Sequence, residues 1–588
     1  MKSFLRLVAI IFLFLSWNYL HREAQAETRR ASQVKAVEQD SEEVSVVTSS
    51  LSPQQATISD SIPCLIITNA DMLSAFESYA AFKTKSGTYT EVVTVESIAT
   101  GYTGDSLQIK IRNCIRTYYD TKQTEWVILG GDIGIIPPMY PVAMLTPVLS
   151  DLYYSNLDFD WNENGDSIFG RTQIFGDTVD YVSEVYLGRI PCSNTSEANA
   201  VINKLLSYQG SSGDTTYQTT AVINGTDIFG NNMGELQPLV SALAALVPSN
   251  FTTTEYYQSA SGPVKQSIEA GPGIFINVSQ AQYSGNFLTN FSNDPWIRDA
   301  IEHTFIESIS NPGKFGVYLN LTCNNNDLAT AEAVSRKYML NPNGGGVAYL
   351  GTTGFSFPLD YPEFHEQIVA NIFDNNMPEL GRAITEAKTM LIPPNNWIDN
   401  VERYTLFGLM LLGDPQMKVW TDSARIFSQD HLASVEVGQN VIIVDTVTDA
   451  GTGLAVEGVV VCLMKDTEVY EVGVTDANGI ISFAVNFATT GTSSLTASKL
   501  NYFLSENFVT VTGPSCCLGT VGNVDGDPMD NTDIADLTFL IDHLFINFPP
   551  VDCPEEGNIN LNLAIDIADL TMLIDHLFIN FPPLLTCP

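Results

Sequence analysis

The stretch Val317-Tyr-Leu-Asn-Leu-Thr-Cys323, followed by Asn324-Asn-Asn-Asp327, decides the fold. An apolar run ends in a cysteine, then comes a short polar loop, then a segment of helical spacing from about Leu328. That order sets a thiol at the carboxyl end of a buried strand, just ahead of a helix. In open α/β sheets ligands bind at that edge. A helix N-terminus there also favours a thiolate over a thiol. Cys323 is therefore a candidate nucleophile.

The same alternation extends on both sides. Cys64-Leu-Ile-Ile-Thr68, Glu91-Val-Val-Thr-Val95 and Trp126-Val-Ile-Leu129 read as short strands. Residues 70–84 and 107–119 between them carry helical spacing. After residue 195, strands are expected at Ala221-Val-Ile223, Ile274-Phe-Ile-Asn277, residues 316–321 and Val347-Ala-Tyr-Leu350. Strands alternating with helices predict parallel sheets covered on both faces.

The chain has 588 residues, enough for several domains. Residues 1–26 read as a secretory signal, with Lys2 and Arg6 ahead of an apolar run and Ala24-Gln25-Ala26 as the cleavage site. That run is too short to span a bilayer, and no later one is long enough. Residues 27–60 are polar and aperiodic, a flexible leader or pro-segment. An exported protein, secreted or held at the cell surface, is expected. With 27 basic and 67 acidic residues the formal charge is −40. Binding nucleic acid requires a basic surface, so that partner class is excluded. Four of the nine cysteines, Cys516, Cys517, Cys553 and Cys587, crowd the C-terminus. Export makes disulfides there the expectation, with the pairing open.

The texture switches after Asp422. Residues 432–513 show short β runs, with Ala477-Asn478-Gly479 as a turn, and predict a small Ig-like β-sandwich. Residues 516–588 hold an internal repeat. Residues 534–550 recur at 567–583 with one difference, Phe539 against Met572. Apolar positions at Leu537, Leu540, Ile541, Leu544 and Phe545 predict a helix with one buried face. A loop of oxygen-bearing side chains precedes each helix. The first offers Asn523, Asp525, Asp527, Asp533 and Asp536; the second Asn558, Asn560, Asn562, Asp566 and Asp569. These fall close to the ligand positions of an EF-hand-type calcium loop. The second loop has only two carboxylates, and Leu563 stands at its glycine position, so weaker binding is expected there. Two such units at the end of a secreted chain resemble a dockerin, which implies structural calcium and a cohesin-like docking partner. Residues 158–166, dense in Asp and Asn around Gly165, are a further candidate calcium site or a solvated acidic turn.

Several blocks over residues 61–423 resemble the gingipain-type cysteine peptidases. They are Trp126-Val-Ile-Leu-Gly-Gly-Asp132, Ser150-Asp151-Leu-Tyr-Tyr154, Glu184-Val-Tyr-Leu-Gly-Arg-Ile-Pro191, the Cys323 segment with Leu340-Asn-Pro-Asn-Gly-Gly-Gly346, and Phe407-Gly-Leu-Met-Leu-Leu-Gly-Asp-Pro415. The resemblance implies a caspase-like α/β fold, a Cys–His dyad, and a protein or peptide substrate. It also implies that Asp151 lies in the pocket for a substrate arginine, the alternative being a loop-stabilising carboxylate. Where the family supplies its histidine, this chain has Gln280-Ala281-Gln282. A thiol needs a base or cation nearby to react well at neutral pH, and Ala281 is neither. His303 and His365 are the remaining candidate bases, each otherwise a helix residue. Cys323 is thus either a working nucleophile or a cysteine inherited by a fold that has lost proteolysis. The rival readings are a non-catalytic peptide-binding protein and, from the repeat alone, a component of a polysaccharide-associated scaffold.

Overall fold

The computed structural model describes residues 61–587, apart from 211–213, 228–233, 283–284, 290–298, 394–397, 518, 530 and 563. The expected signal and leader lie outside the described residues. Ten strands build one sheet. They are β1 (Cys64–Thr68), β2 (Thr90–Thr94), β3 (Trp126–Gly130), β4 (Tyr186–Ile190), β5 (Thr220–Gly225), β6 (Thr252–Tyr257), β7 (Ile274–Val278), β8 (Gly316–Asn320), β9 (Gly346–Thr352) and β10 (Leu409–Leu412). The order across the sheet is β2-β1-β3-β4-β10-β9-β8-β7-β5-β6.

Every residue of β1, β3, β7, β8, β9 and β10 is buried. Strands covered on both faces read as continuous apolar runs, which is why most of them were visible in the sequence. β6, Thr-Thr-Thr-Glu-Tyr-Tyr, is a half-exposed edge strand and carried no such signal. Helices cross between strands with ordinary signals. Ser106 caps Leu107–Lys122 by accepting from the Ile109 N–H, and Gln123 ends it in the left-handed conformation.

The expected parallel arrangement is altered in one respect. β9 and β10 are antiparallel, while every other adjacent pair is parallel. The sheet is therefore two parallel halves joined at one antiparallel seam, and their carboxyl edges face opposite ways. Cys323, three residues beyond β8, belongs to the edge formed by the ends of β5, β7, β8 and β9.

The segment after β10 ties the halves to the first helix. Gly413 has φ +125, which favours glycine, and a Cβ on Gly188 of β4 would stand 2.4 Å from the Gly413 carbonyl oxygen. Asp414 accepts from Lys83 Nζ and Tyr79 OH, both at 2.6 Å, with all three side chains buried. Lys83 and Tyr79 lie on the helix Leu73–Lys85.

Beyond residue 426, two sheets share one apolar core that includes Ile443, Val461, Leu463, Phe483, Leu495 and Val509. One holds Phe427–His431, Asn440–Asp449 and Ile480–Asn486; the other holds Ser434–Glu436, Ser505–Thr512, Gly491–Ser498, Val460–Lys465 and Val469–Val474. This β module sits directly on the α/β region. Lys85 pairs with Glu506 at 2.7 Å, Ser498 Oγ donates to the Ser86 carbonyl at 3.2 Å, and Trp420 packs edge-on against Phe503.

The C-terminal repeat folds around a small core of Val521, Val524, Leu540, Ile559, Leu570 and Leu573. Disulfides Cys516–Cys553 and Cys517–Cys587 staple it, as so few apolar residues require. The repeat helices are Ile534–Ile541 and Ile567–Ile574, each opened by an Asp capping box. Each then widens into a π-helical turn, Asp542–Ile546 and Asp575–Ile579. The expected buried face is corrected there. The wider turn shifts the helical phase, leaving Phe545 and Phe578 more than half exposed.

Replacing Asp414 by Asn keeps its shape but leaves the Lys83 charge buried without a counter-charge. We expect a loss of about 3–5 kcal/mol, read by urea unfolding; a loss within about 1 kcal/mol would show the pair to be dispensable.

Candidate active site

A buried amide ladder forms the edge that carries Cys323. Asn224 Nδ2 donates to Asn277 Oδ1 at 2.6 Å, and Asn277 Nδ2 donates to Asn320 Oδ1 at 2.8 Å. Asn320 Nδ2 continues it to the Tyr349 hydroxyl. These side chains come from β5, β7, β8 and β9, and all four residues are 0% exposed. Parallel register places Asn224, Asn277 and Asn320 side by side. Because strand side chains repeat every two residues, a hydroxyl two positions on falls on the same face. Ser279 Oγ accepts from Asn277, and Thr322 Oγ1 donates to Asn320 at 3.2 Å. Three of the six Asn-x-Ser/Thr triplets, at Asn224, Asn277 and Asn320, are thus interior ladder rungs that no glycosylating enzyme reaches in the folded chain.

The loop after β8 is pinned below the cysteine. Thr352 Oγ1 donates to the Thr322 carbonyl at 2.6 Å, as does Asn325 Nδ2 at 3.0 Å. Asn326 Nδ2 donates to the Gly351 and Met410 carbonyls at 3.3 and 3.2 Å. Asn324 takes φ +50, a conformation asparagine tolerates, and its N–H donates to the Gly354 carbonyl at 2.6 Å. Cys323 remains partly exposed. Its sulfur accepts from the Ser356 N–H at 3.3 Å and stands 3.5 Å from the Ser356 carbonyl oxygen. Phe355, next to Ser356, is more than half exposed and stacks on Tyr404.

Burial pushes the Cys323 thiol up, against a smaller lowering by the Ser356 N–H. The helix expected from about Leu328 begins later. Turns occupy residues 328–332, and the helix begins only at Val334 (Val334–Leu340). The Ser335 N–H of its first turn donates to the Asn325 carbonyl at 3.3 Å.

Ala281 follows β7 by three residues, as Cys323 follows β8, and Asn277 and Asn320 are register partners. The two positions therefore share one edge of neighbouring strands. Ala281 is buried and begins a short antiparallel meander through Gly285–Thr289 and Asp299–Glu302. His365, on the helix Pro362–Phe373, is 2% exposed between Tyr361 and Phe364, with no hydrogen-bond partner on either ring nitrogen among the described residues. Burial drags its pKa down to about 3, so it stays neutral and walled into the core. His303 opens the short helix His303–Ser308 at the end of the meander.

Asp151 is engaged inside the protein. Its oxygens accept from Arg189 Nε and Nη2, each at 2.7 Å, and Arg189 Nη1 donates to the carbonyls of Gly131 at 2.7 Å and Ile136 at 3.0 Å. Arg189 is 0% exposed. The bidentate pairing expected with a substrate guanidinium is made instead with a residue of the Glu184–Pro191 block, which joins two of the sequence blocks through one buried ion pair.

The two repeat loops have matching internal bonds. Asn523 Oδ1 accepts from the Asp527 N–H at 2.8 Å, and Asn558 Oδ1 from the Asn562 N–H at 3.0 Å. Asp525 and Asn560 make the next bonds, at 3.1 and 2.9 Å. Asp533 and Asp566 cap the helices. Asp536 and Asp569, both 0% exposed, each take two backbone N–H groups. Within either loop, no three carboxylates converge within 4.8 Å among the described residues, whereas Asp158, Asp180 and Glu184 do. Asp160 and Asp166, from the same acidic stretch, instead accept backbone N–H groups of their own turns.

A part-exposed cysteine on the rim of a two-half α/β sheet defines a caspase-like peptidase fold. The family model for peptidase family C25 matches residues 57–420, and the chain belongs to that family. The Arg-specific cysteine proteinase gingipain R aligns at a TM-score of 0.61 with 14% identity, over 77% of this chain and 98% of its own. The complex of the pro- and mature domains of RgpB from Porphyromonas gingivalis gives 0.60 and 15%, over 76% and 100%. A further protease structure gives 0.58 and 16%, over 76% and 97%. At these identities the likeness establishes the fold. No curated protein matches the chain. Among the described residues, no helix is long and apolar enough to cross a membrane.

Sequence reasoning missed the ladder, Ser356, Tyr404 and Arg189. The ladder left a trace, an Asn followed two positions later by Ser or Thr at three strand ends, and Arg189 lay inside the Glu184–Pro191 block.

His365 generates a pH prediction. Its imidazole titrates at about 3 in the fold against 6.5 ordinarily, so the unfolded chain binds the extra proton between those values. The stability is fully present above 6.5 and declines by about 1.4 kcal/mol per pH unit below it. His365→Leu should remove that decline, sparing about 2 kcal/mol between pH 6.5 and 5 in urea unfolding; an unchanged slope would show that the imidazole meets water.

Proposed function

We propose that this chain is an exported gingipain-type cysteine endopeptidase whose turnover is curtailed by the missing histidine. The observation that carries this reading is Cys323, part exposed at the rim between β7 and β9, with Ala281 at the neighbouring rim position. The sulfur attacks the scissile carbonyl. A thiol raised by burial, with alanine at the position where the family supplies its base, spends little time as the nucleophilic thiolate near neutral pH. The Cys323 N–H, which has no acceptor among the described residues, is available to the developing oxyanion. Peptide is bound at the rim whether or not it is cut. The same observations favour a second reading, a peptide-binding member of the family with no turnover.

Specificity for arginine through Asp151 is not part of this proposal, since Arg189 already holds both of its oxygens. The C-terminal repeat supports a calcium-dependent docking module of the dockerin type, with a cohesin-like partner. In loop one calcium would be held by Asn523, Asp525, Asp527, Asp533 and Asp536, and in loop two by Asn558, Asn560, Asn562, Asp566 and Asp569. The fit rests on the matched inward turns and on the buried carboxylates of Asp536 and Asp569; burial pushes the Asp536 carboxyl up, a cost that a cation would remove. The β module, docked on the first helix, serves as a rigid spacer.

Purified protein, reduced and supplied with calcium, should cleave arginyl or lysyl peptide substrates slowly, and Cys323→Ala should abolish this. Ala281→His should raise kcat/KM by about 10²–10⁴-fold, the usual contribution of a general base. Silence in both parent and Ala281→His would favour the binding reading, and activity that survives Cys323→Ala would remove the nucleophile from the mechanism.

Calcium titrated calorimetrically into the full chain should give saturable heat that is reduced in Asp525→Ala with Asp536→Ala and nearly unchanged in Asn560→Ala. Absence of heat would end the docking-module reading.

A further inference from the structure

The loop after β9 brings an aromatic surface to Cys323. Ser356, whose N–H donates to the sulfur at 3.3 Å, is flanked by Phe355 and Phe357. Phe355 stacks on Tyr404, with ring centres 6.2 Å apart and planes 27° from parallel, and Phe357 meets the same ring edge-on at 6.3 Å. Tyr404 is 6% exposed and lies against Gly354, where a Cβ would stand 2.3 Å from the phenolic oxygen. Gly354 in turn accepts the Asn324 N–H at 2.6 Å. Burial pushes the Tyr404 phenol up, opposed by the Phe355 N–H and aided by charge on Cys323, so the ring lies within electrostatic reach of the sulfur.

This loop is fixed from behind. Thr353 Oγ1 donates to the Leu149 carbonyl at 2.7 Å, and the Thr353 N–H to the Gly408 carbonyl at 2.9 Å. The Phe357 N–H donates to the Tyr361 hydroxyl at 2.8 Å, and that hydroxyl bonds Thr405, which neighbours Tyr404 on the helix Val401–Gly408. Phe355 is nonetheless 57% exposed, and Leu359 of the same loop is 41% exposed. Apolar side chains scattered singly on a surface are ordinary. Phe355 differs in its place, one residue from the group that touches the sulfur, and in the buried ring that backs it.

Charge narrows what this surface accepts. Phe355, Phe357, Leu359 and Tyr404 are all uncharged, so a basic side chain finds no counter-charge among them. The carboxylate suited to a guanidinium, Asp151, is 3% exposed and already holds Arg189 through both oxygens.

We propose that Phe355 is the specificity-determining residue of this rim and selects peptides with an aromatic side chain beside the bond held over Cys323. The inference rests on the rim being a peptide-binding edge, and it holds with or without turnover. The peptide's ring packs on the open face of Phe355 while Tyr404 supports the other, and apolar surface is buried on both partners. Phe355 makes and breaks no bond.

The test uses the full chain as Cys323→Ala, so that binding is read without cleavage. Capped pentapeptides, acetyl-Ala-Ala-Xaa-Ala-Ala-amide with Phe, Leu, Arg or Gly at the third position, are titrated calorimetrically. We expect the phenylalanyl peptide to bind at least about tenfold more tightly than the arginyl and glycyl ones, with the leucyl one between. Adding Phe355→Ala should bring the phenylalanyl peptide down to the affinity of the glycyl one and leave the glycyl affinity unchanged. Adding Phe355→Trp should keep the preference. Equal affinity for the four peptides, or an arginyl peptide as tight as the phenylalanyl one, overturns the specificity and leaves the rim a peptide-binding edge. A uniform loss for all four in Phe355→Ala overturns it as well, since a merely structural role predicts that result. Absence of binding by every peptide sinks the peptide-binding reading and this inference together.

Discussion

A row of buried amides across four strands holds the edge on which the candidate chemistry rests. Polar groups inside a sheet are costly unless each finds a partner. Asn224, Asn277, Asn320 and Tyr349 meet most of that demand by bonding to one another, the Asn224 Oδ1 at the ladder's end alone having no partner among the described residues. The ladder closes only in one register, because a shift of one residue would turn every amide to the opposite face. Thr322 bonds to the last amide, and Cys323 follows it directly. The position of the sulfur is therefore set by hydrogen bonding within the sheet rather than by a substrate or a partner residue. This explains how the rim keeps its form with alanine at position 281.

The same separation of scaffold from chemistry recurs elsewhere. Asp151 and Arg189 form an internal ion pair that braces two loops, although a carboxylate in that sequence block suggests substrate recognition. Lys83, Tyr79 and Asp414 lock the end of the sheet to the first helix. That helix is also the surface on which the β module docks. The module is in this sense part of the α/β architecture.

Much of the fold was legible because strands buried on both faces are continuous apolar runs. β1, β3, β7, β8 and β9 all read in this way. β6 was not legible, since an edge strand keeps polar residues on its open side. β10 was hidden inside a motif of known order. Its antiparallel pairing with β9 has no local signature, because strand direction is decided by how the chain returns to the sheet. The helix after Cys323 was placed too early because its polar turns carry some helical spacing. The buried face of the repeat helices was overextended to Phe545 because a constant 3.6-residue period does not foresee a π-turn.

For the candidate site, the sequence by itself determined the identity and order of the chemical groups. It set a cysteine after a buried strand, alanine where a base was expected, and oxygen-bearing loops ahead of two repeated helices. These follow from residue type and spacing, which are local properties. Tertiary structure decided what each group is worth. It joined Asp151 to Arg189, closed His365 into the core, started the helix after Cys323 only at Val334, paired the four C-terminal cysteines and set the β module against the first helix. Burial, charge pairing and desolvation depend on which distant segments meet, and no single stretch of sequence carries that information.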